Sequence, residues 1–202
     1  MKKYAILIGI LSIFAFSLAG NALAIMDQLT PASIDEAVKR GASYKDKGPK
    51  AFMDDLCGHQ EKKAEFYEAS VVVWTKYNII AFDSMTAARG YEGFNPKRLI
   101  QSEGYKLLEK AFLVYVVIHS EYASHLDDFR AVIKQGDDKV VMPTVAELVS
   151  FTEDVGPDEI NVAVYHWAFP LKGMKLDEEA DFVLIPLMGE EKIFQLDLSN
   201  IK

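Results

Sequence analysis

The chain has 202 residues, half of them apolar, and a formal net charge of −8 at pH 7. That apolar content is enough for a real core in one domain. The net negative charge and the scattered Lys and Arg residues leave no electrostatic footprint for nucleic acid and disfavour anionic lipid.

Residues 1–24 read as a cleavable signal peptide. Lys2 and Lys3 form a positive start, Ile6 to Leu18 an apolar stretch, and Ala22-Leu23-Ala24 a small-x-small cleavage site. The apolar stretch is short for a membrane span. Leu18-Ala19-Gly20 is followed by Asn21 rather than Cys, so no thiol is offered for a lipid. The expectation is a periplasmic or secreted protein, bacterial in the style of its leader, with no stable span after cleavage. Removing the two lysines of the leader takes the charge from −8 to −10.

Residues 25–202 are expected to form one α+β domain, mainly helical over 25–110 and mainly β over 111–202. Thr30 to Lys47 reads as a first, mostly polar surface helix, with Thr30-Pro31 as a start signal and Ser33 and Glu36 matching a capping box. A short helical piece, Lys50 to Leu56, follows. Phe66 to Trp74, with three consecutive valines, suits a strand. Thr75 is placed to cap a helix to about Arg89, with Tyr77, Ile80, Ala81, Ser84, Met85 and Ala88 on one face. Asn95 and Pro96 start another helix reaching Lys110, weakened by Gly104. These two helices are expected to make an αα-hairpin.

The run Phe112 to Ile118 is continuously apolar and rich in β-branched and aromatic residues. It predicts a central strand buried on both faces, with a buried helix as the competing reading. Phe129–Lys134 and Lys139–Met142 flank Gln135-Gly136-Asp137-Asp138 as a hairpin. Thr144 to Val155 fits either a capped helix or an alternating strand. Ile160 to Phe169 alternates for ten residues. Asp181–Met188 and Lys192–Leu198 form a last hairpin, with Pro186 marking an edge strand or a bulge. The β-rich half is expected to fold as a mostly antiparallel, sandwich-like sheet.

No phosphate-cradling loop, nucleophile elbow or zinc-binding motif is present. The single cysteine, Cys57, has no internal partner, so no internal disulfide is possible. It can be a nucleophile, an intermolecular bridge or a metal ligand with His59, but it reads first as a small apolar residue. His119, Glu121 and His125 are the best metal constellation, yet no one regular conformation aligns all three. Acidic turns at Asp127-Asp128, Asp137-Asp138 and Asp177-Glu178-Glu179 with Asp181 raise calcium, but the first two lie at opposite ends of one strand. No catalytic, cofactor-binding or metal residue is therefore assigned, and no cofactor is expected. The leading functional reading is a non-catalytic binding or interaction protein whose partner is another protein or a small molecule. The alternative is an envelope hydrolase-like or metal-dependent enzyme using Cys57 or His119 with Glu121. An aromatic patch built from residues such as Trp74, Tyr91 and Trp167 would mark the binding protein. A cleft joining a histidine to Cys57 or to carboxylates would mark the enzyme.

Overall fold

The computed structural model describes residues 29–199 except 103, 104, 107, 123, 125, 127, 137, 138, 156 and 157; for 149–155, 158 and 159 it describes the backbone only. The leader, His125, Asp127, Asp137 and Asp138 lie outside these residues.

Four helices are described, all in the N-terminal half: α1 (Pro31–Ala42), α2 (Gly48–Leu56), α3 (Lys76–Arg89) and α4 (Pro96–Ile100). Nine strands are described: β1 (Gln60–Lys63), β2 (Glu68–Trp74), β3 (Ala111–Ser120), β4 (Arg130–Gln135), β5 (Lys139–Val141), β6 (Val145–Val155), β7 (Asp158–Pro170), β8 (Glu179–Ile185) and β9 (Lys192–Asp197). They form a five-stranded sheet, β1-β2-β3-β7-β6, and a four-stranded sheet, β5-β4-β8-β9. Every pairing is antiparallel. The protein is α+β, with its sheets dominating the C-terminal half.

The apolar run is the middle strand of the larger sheet, as its composition predicts. Val114 pairs with Val73 on one side and Trp167 on the other. Even-numbered side chains of β3 (Phe112, Val114, Val116, Ile118) enter a core shared with Phe182, Leu184 and Phe194 of the smaller sheet. Odd-numbered Leu113 and Tyr115 pack instead on a second core with the helices. The larger sheet is thus the middle layer of three. One expectation needs correction: the helix-facing residues Leu113, Tyr115, Val117 and His119 are only half-buried. The short helical layer spans part of that face, so the strand is fully buried on one side only.

The helical layer is held by local chemistry and close packing. Thr75 accepts from the Asn78 backbone N–H at 3.3 Å, while Asn78 Oδ1 accepts from the Thr75 N–H at 2.7 Å, closing the cap of α3. The α3 stripe is buried as its spacing predicts: Tyr77, Ile80, Ala81, Ser84 and Met85. The cap of α1 is Thr30, whose Oγ1 accepts from the Ser33 N–H at 3.2 Å, and not the Ser33–Glu36 pair. Pro31 at the first position is pre-set for the helical turn that Thr30 begins. α1 ends at Ala42, short of Lys47, and 43–47 form turns.

The expected helix over 95–110 is realised only in pieces. α4 stops at Ile100 and buries none of its own residues, so little packing supports its extension. Tyr105 and Leu108 then anchor the following turn in the helix-side core. β1 was not legible at all, because Gln60-Glu61-Lys62-Lys63 is a charged edge strand with one half-buried and three exposed residues. The segment 144–155 resolves as strand: Thr144 N–H bonds the Ala168 carbonyl at 2.8 Å and β6 follows β7 in register to Val155. β8 ends at Ile185, so Pro186 terminates an inner strand of its sheet rather than marking an edge or a bulge.

Candidate functional site

The loops at one end of the two sheets carry exposed apolar side chains beside two concavities. The β1–β2 turn is closed by Ala64 N–H on the Tyr67 carbonyl at 2.7 Å. It pushes Phe66 outward while Tyr67 enters the core. Tyr67 stacks edge-on against Phe129 and donates its hydroxyl to the Glu190 carbonyl at 3.1 Å. Burial pushes that hydroxyl up to about 12, and the Glu190 carboxylate adds to the effect. One buried aromatic thus ties the β1–β2, β3–β4 and β8–β9 connections together. Tyr165 adds a second tie, donating to the Leu126 carbonyl at 2.7 Å.

Around this framework lie two adjoining concavities. The larger, about 260 Å³, is lined by Lys63–Glu68, His119–Tyr122 and Ile160. The smaller, about 130 Å³, is lined by Phe66, Tyr67, Ser124, Phe129 and Pro186–Met188. Phe66 is 45% exposed, Tyr122 56%, Leu187 71% and Met188 70%. Four large apolar side chains in water at one end are a surface kept for contact rather than for folding. Their rim is acidic: Glu65, Glu121, Glu190 and Glu191 are all exposed, with Glu190 paired to Lys192 at 3.3 Å. Lys63 is engaged by Glu68 at 3.2 Å.

His119 and Glu121 both line the larger cleft. His125 lies outside the described residues. Among the described residues, no three His, Cys, Asp or Glu side chains are placed to hold one metal ion. In the acidic stretch near residue 177, Glu178 is taken up by Lys175 at 2.7 Å.

Cys57 sits apart from this end. It is 0% exposed within the helix-side core, and burial pushes its thiol up, away from the reactive thiolate. Neighbouring His59 turns elsewhere. Its Nδ1 is 2.5 Å from Asp54 Oδ1, and its Nε2 is 2.8 Å from Ser70 Oγ and 3.3 Å from Glu61 Oε1. Nothing in the sequence pairs Ser70 with His59, eleven residues away. Only the α2–β1 bend and the strand register bring them together.

The aromatic residues expected to mark a binding patch do not form one. Trp74 and Trp167 are buried in opposite cores, and Tyr91 is 91% exposed on its own turn beside Lys45. The apolar end is built instead from loop residues, which hydrophobic periodicity does not single out. Among the described residues, no helix is long and apolar enough to cross a membrane.

No family model matches the chain, and no curated protein matches it. Among solved structures, it shows a likeness to the crystal structure of a DUF4426 family protein from Pseudomonas aeruginosa PAO1. The identity is 13%, the match covers 69% of this chain and 91% of that one, and the TM-score is 0.30. At that score the likeness carries no argument about fold or function.

Proposed function

We propose that the protein is an exported interaction protein that docks a partner on the loop end of its two sheets. The observation that carries this reading is the convergence of Phe66, Tyr122, Leu187 and Met188 around two adjoining concavities. Apolar anchors within a charged rim are the usual anatomy of a docking surface. The acidic rim favours a partner whose apolar segment is flanked by Lys or Arg, and it makes encounter faster at low salt. The leader from Lys2 to Ala24 supports export, with a mature chain starting Ile25-Met26-Asp27.

A photo-crosslinking residue placed in cells at Leu187 or at Tyr122 tests the docking surface, with Tyr91 as a control on the helical layer. The reading predicts one defined adduct shared by the first two positions and missing from the third. Adducts of equal yield at all three positions would reject it. N-terminal sequencing of the mature protein tests export, and retention of Met1 would reject that part.

A further inference from the structure

Away from the loop end, the bend between α2 and β1 assembles Asp54, His59 and Ser70 in line. We infer that these residues form a nucleophilic serine relay that acts on small esters. The bend is set by backbone chemistry. Cys57 N–H and His59 N–H both bond the Met53 carbonyl, at 3.0 and 3.4 Å, and Gly58 takes a positive φ of 59° between them. Val73 N–H bonds the Cys57 carbonyl at 2.9 Å, which fastens the bend to β2. The imidazole therefore lies between the last turn of α2 and the middle of β2, with its side chain 8% exposed.

Each ring nitrogen has the partner that the chemistry requires. Nδ1 lies 2.5 Å from Asp54 Oδ1, and the tautomer with its proton on Nδ1 donates to that carboxylate, which holds the ring's orientation. In that tautomer Nε2, 2.8 Å from Ser70 Oγ, is the acceptor for the serine hydroxyl. This is the nucleophile–base–orienter order of serine hydrolases, recognised by geometry and not by chain order. Glu61 adds a feature. Its Oε1 is 3.3 Å from Nε2, so an imidazolium formed by proton transfer has a carboxylate at each nitrogen.

In the reaction, Ser70 Oγ bonds to the acyl carbon of an ester as its proton moves to His59 Nε2. The ester C–O bond breaks, and the leaving alkoxide takes that proton and departs as an alcohol. Water, deprotonated by the same nitrogen, attacks the acyl-serine, which releases a carboxylic acid and restores the serine hydroxyl. Ser70 pairs with Glu61 of β1 and Val117 of β3, so its backbone lies inside the sheet ladder. Among the described residues, Lys50 pairs with two of these carboxylates, 3.7 Å from Asp54 and 3.6 Å from Glu61. A lone exposed cation is a weaker oxyanion stabiliser than aligned backbone donors. The substrates are therefore short, activated esters, and turnover is slow.

The test uses the full chain with a fluorophosphonate probe and p-nitrophenyl acetate, read by peptide mass spectrometry and by nitrophenolate release. The expected result is an adduct on Ser70 in the folded protein, lost in urea and in Ser70→Ala. His59→Gln is expected to slow labelling by about 100-fold or more. Asp54→Asn acts through positioning, so it is expected to change the pH profile of labelling as well as its rate. Circular dichroism of each variant confirms that it is folded. No Ser70 adduct in the folded wild-type chain would overturn the proposal, and so would an adduct that persists unchanged in urea or in folded His59→Gln. Failure here leaves the docking surface standing, because the two regions share no residue.

Discussion

Gly41 of α1 lies so close to Ala81 of α3 that a Cβ placed on it would stand 1.9 Å from the Ala81 carbonyl oxygen. The two helices cross at this point, with Ala37 fully buried nearby and Ser84 Oγ donating to the Val38 carbonyl at 2.8 Å. Only glycine permits the approach. Gly41→Ala must push the helices apart, and such overpacking costs about 1–3 kcal/mol. Urea unfolding should show that loss. An unchanged midpoint would mean that α1 does not dock there.

β3 gives a graded prediction. Val116 points into the core between the sheets and is 0% exposed, whereas Val117 points to the helical side and is half-buried. Val116→Asp should remove several kcal/mol, because a buried carboxylate has no solvation. That is a large share of the roughly 5–15 kcal/mol available to a domain. Val117→Asp should cost clearly less, because water reaches that face. Equal losses at both positions, read by melting temperature, would contradict the partial helical layer.

These two contrasts show where the sequence is legible. The α3 stripe and the β7 alternation state their own burial, since periodicity follows the face that packs, whereas the seven-residue apolar run marks the central strand but overstates the burial of its helix-facing side. Gly136, with a positive φ of 66°, marks a hairpin turn in the same local way. β1 was hidden because an edge strand presents charge to water on both sides. Its Gln60 and Lys62 side chains cover the backbone of the other sheet's edge, donating to the carbonyls of Gln195 and Ile193. The apolar loop end and the Asp54–His59–Ser70 alignment were also hidden. Each joins residues from separate elements, and pairing distances across a fold leave no periodic trace.

Alkaline pH should destabilise the protein. Burial raises the hydroxyls of Tyr44, Tyr77 and Tyr115, and pushes those of Tyr67 and Tyr105 up to about 12. A phenol that is harder to ionise when folded stabilises the fold below the unfolded value of about 10. That contribution is lost as pH rises from there through the folded value. Melting temperature should therefore fall steeply between pH 10 and 12, with phenolate absorbance appearing together with unfolding. Full phenolate absorbance near pH 10 in a protein that stays folded would contradict the buried tyrosines.

Cys57 should be inert in the native state. A thiol at 0% exposure has no path to a bulky disulfide reagent. Reaction with Ellman's reagent at pH 8 should be negligible until denaturant is added, and should then consume one thiol per chain. Rapid modification of the native protein would place the thiol at the surface.

The exposed loop end carries the functional claim, and a paired measurement tests it most directly. Leu187→Asp with Met188→Ser replaces two side chains that are 71% and 70% exposed. Surface changes of this kind usually stay within about 0.5 kcal/mol. The melting temperature should therefore hold, while the adduct formed from a photo-crosslinking residue at Tyr122 disappears. A folded double variant that still forms the same adduct at full yield would contradict the docking surface.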